Sequence, residues 1–123
     1  MKICMIGVGY VGLVSGTCFA DLGNTVYCVD KNEYKIDMLN NGEIPIYEPG
    51  LNEIVKKNYS SGRLIFTSNI KLAVKSSDII FICVGTPSSK KNNSADLNFV
   101  FKVATEISKN IRKFKIIVCK STV

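Results

Sequence analysis

Apolar and polar positions fall into short blocks from the first residue. Residues 2–6, KICMI, form a compact apolar run, the pattern of a buried strand. A glycine-rich turn follows, from Gly7 to Gly12. Beyond it Val11, Val14, Cys18, Phe19 and Leu22 recur at helical spacing. They predict a helix over 10–22, which Gly23 and Asn24 stop. Residues 25–29, TVYCV, are β-branched and aromatic and predict a second strand. Strand, turn, helix and strand together fill the first 29 residues.

The alternation continues. A helix is predicted over 32–41, closed by Asn40, Asn41 and Gly42. The segment IPIYEPG carries Pro45 and Pro49 and reads as extended or turned. A helix over 50–60 stops at Ser60, Ser61 and Gly62; RLIFT, 63–67, is a strand, and 69–76 a short helix. DIIFICV, 78–84, is nearly all apolar, as expected of a central parallel strand covered on both faces. GTPSSKKNNSAD, 85–96, reads as a polar, flexible loop. A last helix is predicted over 97–112 and a last strand, expected to be buried, over 115–120. No internal repeat interrupts this order. Alternating strands and helices with right-handed crossovers give an α/β fold: a doubly wound parallel sheet between two helical layers. In such sheets ligands sit beyond the carboxyl ends of the strands.

Composition narrows the reading. The 123 residues are 46% hydrophobic and 21% charged, the usage of one soluble domain. No apolar run approaches the ~20 residues of a membrane span, and the glycine-broken start does not resemble a signal peptide. A cytoplasmic protein is expected. The net charge of +6 suits a phosphorylated ligand, or simply solvated lysines. No nucleic-acid-binding motif accompanies it, so no nucleic-acid partner is expected. The chain has no histidine, which removes histidine zinc sites and histidine bases; no metal site is expected. Its five cysteines include no C-x-x-C pair. Four lie in predicted strands and Cys18 in the first helix, so all five are expected to act as small buried hydrophobes.

The first turn carries the chemistry. Gly7, Gly9 and Gly12 stand as G-x-G-x-x-G, and Asp30 follows Gly12 by 18 residues, at the end of the second predicted strand. The pattern alone is weak, since a glycine turn with a capping aspartate also fits it; its place between strand and helix makes it specific. Gly7 permits a tight turn, Gly9 lets a pyrophosphate approach the backbone, and Gly12 lets helix and sheet pack closely. The amides of Tyr10 and Val11 open the helix towards the phosphates. Asp30 would accept hydrogen bonds from the adenosine ribose. A 2′-phosphate would meet a like charge there, favouring NAD over NADP, although Lys31 beside it offsets part of that charge. The reading is a Rossmann-type NAD-binding domain.

Five blocks in order, GVGYVGLVSGTCFA, VDKNEYKIDMLNNGEIPIYEPGL, VGTP, ADL and KSTV, resemble the N-terminal domain of the UDP-glucose/GDP-mannose dehydrogenases over essentially the whole chain. GTCFA and PIYEPGL are most similar to the branch that oxidises UDP-glucose. The resemblance implies an NAD-dependent, two-step oxidation of the sugar 6-hydroxyl to a carboxylate. Sibling branches act on GDP-mannose or UDP-N-acetyl-mannosamine, and a non-catalytic NAD-binding module is the alternative of another class. The resemblance also implies NAD contacts at the glycine loop with Val11, and at Asp30, Lys35, Thr86 and Thr122. Thr122 would in addition help to hold a catalytic water. Tyr10 is expected to pack on the glycine loop, and Glu48 to serve a turn or cap. The family's thiol nucleophile, its other catalytic residues, its central helix and its UDP-sugar domain match nothing here. The 123 residues are thus expected to be a truncated piece, inactive alone, of an enzyme that is a homodimer when whole.

Overall fold

The computed structural model describes residues 1–84, 98–111 and 113–120. Five strands and five helices alternate: β1 (Lys2–Ile6), α1 (Tyr10–Asp21), β2 (Thr25–Val29), α2 (Glu33–Asn40), α3 (Leu51–Ser60), β3 (Leu64–Thr67), α4 (Ile70–Ser76), β4 (Ile79–Ile82), α5 (Asn98–Asn110) and β5 (Ile116–Cys119). Every element expected from the hydrophobic pattern is present, with ends trimmed by one or two residues. Local chemistry sets several ends. Asn32 caps α2 by accepting from the Lys35 amide, and Asn69 caps α4 by accepting from the Leu72 amide.

All pairings are parallel, in the order β3-β2-β1-β4-β5. β1 is central: Ile3 stands opposite Val26 on one side and Ile79 on the other. Its alternate residues enter two cores. Ile3 and Met5 pack with residues of α1, α2 and α3, while Cys4 and Ile6 pack with residues of α4 and α5. Helices therefore cover both faces, in three layers. Fully buried side chains such as Met5, Leu13 and Ile80 each contribute roughly 1.5–3 kcal/mol.

Three expectations need correction. First, β5 is not buried. It lies at the sheet edge, and Ile116 and Ile117 are 49% and 47% exposed. Among the described residues no strand pairs with its outer edge, so its apolar side chains stay half exposed. Second, β4 ends at Ile82, so Cys83 lies beyond the strand; on one face its Ile79 and Phe81 are only half-buried. Third, only Cys4 and Cys28 are buried; Cys83 is half-buried, and Cys18 and Cys119 are exposed. Cys18 sits on the outer side of α1, and Cys119 shares the exposure of β5. The expected loop over 85–96 lies outside the described residues.

Candidate functional site

The carboxyl ends of β1, β2 and β4 open onto a cavity of about 560 Å³, lined among others by Gly7, Gly9, Tyr10, Val11, Asp30 and Lys35. This is the point where the strand order reverses, with α1 following β1 to one side and β4 lying on the other.

Each glycine of the turn answers a different constraint. Gly7 has φ +102°, and its amide donates to the Val29 carbonyl at 2.7 Å. A Cβ there would stand 2.7 Å from the Cys83 carbonyl oxygen, so both conformation and space require glycine. A Cβ on Gly12 would stand 1.8 Å from the Gly7 carbonyl oxygen, which brings α1 hard against the turn. A Cβ on Gly9 would meet nothing within 4 Å, and its φ of −74° suits any residue. The protein itself therefore does not need glycine at position 9. The open space belongs to the cavity that Gly9 lines.

The start of α1 is electrostatically bare. Gly9 offers no capping side chain, and no acidic residue sits in the first turn. The amides of Tyr10, Val11 and Gly12 are the orphan donors of a helix start, at the positive end of its dipole. That arrangement suits a phosphate group.

Asp30 supplies the complementary group. Its Oδ2 accepts from the Val8 amide at 3.1 Å and its Oδ1 from the Asn32 amide at 3.0 Å. Lys35 Nζ lies 3.7 Å from Oδ2. The carboxylate is thus tied to the glycine turn, to the α2 cap and to the first turn of α2. A carboxylate offers about four acceptor positions, and the two amides leave room for a pair of vicinal hydroxyls. Ribose binding fits this geometry.

Tyr10 departs from expectation. Its side chain is 55% exposed, and the phenol donates to Glu48 Oε2 at 2.8 Å rather than packing on the turn. This hydrogen bond, with the Glu48 charge behind it, raises the phenol above its ordinary pKa. Glu48 does serve a turn, since its carbonyl accepts from the Leu51 amide at 3.0 Å. Thr86 and Thr122 lie outside the described residues.

Sequence reading missed the far wall of the cavity. Lys102 and Glu106 of α5, with Ser68, Ile70 and Lys120, line it. They stand far from the glycine turn in sequence, and no local motif marks them. Gly16 was also missed. Its Cβ would lie 3.0 Å from Cys28 Sγ and 3.1 Å from Met5 Cγ, so it too lets α1 approach the sheet.

The arrangement binds rather than reacts. Cys83 lines the cavity, but burial pushes its thiol up to about 11, so it is protonated at neutral pH and a poor nucleophile. Among the described residues no group of His, Cys, Asp or Glu could hold a metal ion, and no helix is long and apolar enough to cross a membrane.

An uncapped helix start, a carboxylate on the same cavity and a parallel sheet in this order are those of a dinucleotide-binding domain of the Rossmann type. Residues 1–123 match the model of the UDP-glucose/GDP-mannose dehydrogenase family, NAD binding domain, and the chain belongs to that family. The cofactor of the domain is NAD. The chain is 57% identical to the UDP-glucose 6-dehydrogenase of Rhizobium meliloti over 123 residues, all of this chain and 28% of that protein. A ternary complex of GDP-mannose dehydrogenase from Pseudomonas aeruginosa superposes with a TM-score of 0.94 at 44% identity, over 100% of this chain and 29% of the other. The UDP-N-acetyl-mannosamine dehydrogenase Cap5O from Staphylococcus aureus does so with a TM-score of 0.91 at 35% identity, over 100% and 29%. The chain therefore spans less than a third of these relatives.

Proposed function

We propose that residues 1–123 are the cofactor domain of a longer, NAD-dependent enzyme that oxidises UDP-glucose to UDP-glucuronate in two steps. The observation that carries the reading is the pairing of the uncapped α1 start with Asp30 across one cavity. In this reading Gly7, Gly9 and Gly12 shape the turn, and Tyr10 and Val11 lie beside the diphosphate. Asp30 and Lys35 hold the adenosine ribose, and Thr86 and Thr122 serve the nicotinamide end. Bound NAD supplies the hydride acceptor. The chain's own residues bind and orient it; the groups that handle the sugar and form covalent intermediates belong to the remainder of the enzyme. The high identity to a UDP-glucose 6-dehydrogenase supports the sugar assignment. The similarity to a GDP-mannose dehydrogenase structure makes that sugar nucleotide the second choice. A homodimeric whole enzyme goes with the reading, as does a cytoplasmic setting, which five unpaired cysteines suit.

Calorimetric titration of the 123-residue chain tests it. NAD is expected to bind at least about tenfold more tightly than NADP, because Asp30 repels a 2′-phosphate. Gly9→Val is expected to abolish NAD binding while the chain stays folded by far-UV circular dichroism, since a Cβ there meets nothing within 4 Å. A folded wild-type chain that ignores NAD, or a Gly9→Val chain that binds it normally, would sink the reading.

A further inference from the structure

The dinucleotide site does not account for the segment between α2 and α3. That segment is held firmly. Ile44 and Ile46 pack against the core, Leu51 is buried behind them, and Pro45 and Pro49 restrict the backbone between. The Glu48 carbonyl is fixed by the Leu51 amide. From this strap the Glu48 carboxylate meets the Tyr10 hydroxyl at 2.8 Å, across 38 residues of sequence. Tyr10 follows Gly9 directly, is the first residue of α1 and lines the cavity; Glu48 is not among the lining residues.

We infer that Glu48 is a positioning residue for the cofactor. It latches the Tyr10 side chain to the strap and keeps the mouth of the diphosphate site open. The inference rests on the NAD reading of that site. Two physical effects act together. An exposed tyrosine without the tie samples other staggered rotamers, and any that crosses the mouth competes with the diphosphate. A carboxylate without its phenol donor is a loose negative charge beside an anion site, whereas the tied one is held outside the cavity. A bond from phenol to carboxylate is charge-assisted, so it is strong enough to bias one rotamer even near solvent.

Calorimetry on the 123-residue chain with NAD and with adenosine, plus melting temperatures, tests the latch. Tyr10→Phe and Glu48→Ala are each expected to weaken NAD binding by about threefold to tenfold. The double variant should bind no worse than the weaker single, since both remove one interaction. Glu48→Gln should lose less than Glu48→Ala, because its amide oxygen still accepts from the phenol, though without the charge. Binding of adenosine, which has no phosphate and is governed by the Asp30 end, should not change in any variant. Wild-type NAD affinity in both single variants, or additive losses, would overturn the latch while the NAD reading stood. Equal losses of adenosine and NAD with a falling melting temperature would show a merely structural contact and overturn it too. A wild-type chain that binds no NAD would remove the NAD reading and the latch with it.

Discussion

Gly9 and Gly12 present the same lack of a side chain in opposite settings: one faces open cavity, the other yields space to its own protein. The motif shows both positions equally, so only packing separates their roles. The cysteines make the same point. Cys4 and Cys119 both sit in apolar runs, yet Cys4 is buried at the sheet centre and Cys119 is exposed at its edge. Burial has a titration consequence. Desolvation pushes Cys4 up to about 12 and Cys28 higher still. In the unfolded chain a thiol ionises near ~8.5. The folded state keeps these protons while the unfolded state loses them. The contribution to stability is therefore complete below about pH 8.5 and falls above it, by about 1 kcal/mol per pH unit per thiol. Urea unfolding between pH 7.5 and 10 (roughly the span in which thiols titrate) should show this decline. Cys28→Ala, though less stable at neutral pH, should show a shallower one. An unchanged slope would mean that this thiol is not shielded.

At the scale of elements, strands stood out as short apolar or β-branched runs, α1 as apolar residues at helical spacing, and helix ends as Gly, Asn and Ser stops. Junctions between elements leave no such trace. Asn58 of α3 is buried and bridges three elements: its Nδ2 donates to Asp21 Oδ1 at 3.1 Å and to the Ile54 carbonyl at 2.9 Å, and its Oδ1 accepts from Arg63 Nε at 3.0 Å. Arg63 Nε also reaches the Ala20 carbonyl at 3.2 Å. Nothing in the sequence pairs residue 21 with residue 58. The structure ties the end of α1 to α3 and to the entry of β3 through them. Asn58→Ala should cost about 1–3 kcal/mol in urea unfolding, because it strands buried polar partners. The Asp21 carboxyl is held below its usual value by Asn58 first and Lys57 next. In the variant its NMR titration should move back up. A shift without loss of stability would mean that the bridge tunes charge but does not hold the helices together.

For the whole molecule, strand order was legible only as a class. The βαβ rhythm implies a parallel sheet, but which strand takes the edge depends on tertiary pairing. Among the described residues β3 and β5 take the two edges; at β5 Ile116 and Ile117 are half exposed, and Phe114 just before it almost wholly so. An apolar edge strand invites association. Sedimentation should show self-association that grows with concentration, and Ile117→Lys should reduce it while leaving NAD affinity intact. Equal association in the variant would place the contact elsewhere. The central place of β1 has another consequence, in the order of synthesis. β1 is made before both of its partners, and its pairing with β2 joins residues only 23 apart, Ile3 with Val26. Its other edge waits for β4, where Ile3 pairs with Ile79, 76 residues away. At about 5–20 residues per second, translation leaves that apolar edge without its partner for several seconds. During that interval the nascent chain offers the middle of its future sheet to whatever binds first, and a chaperone that covers a bare strand edge would act on this molecule before its cofactor could.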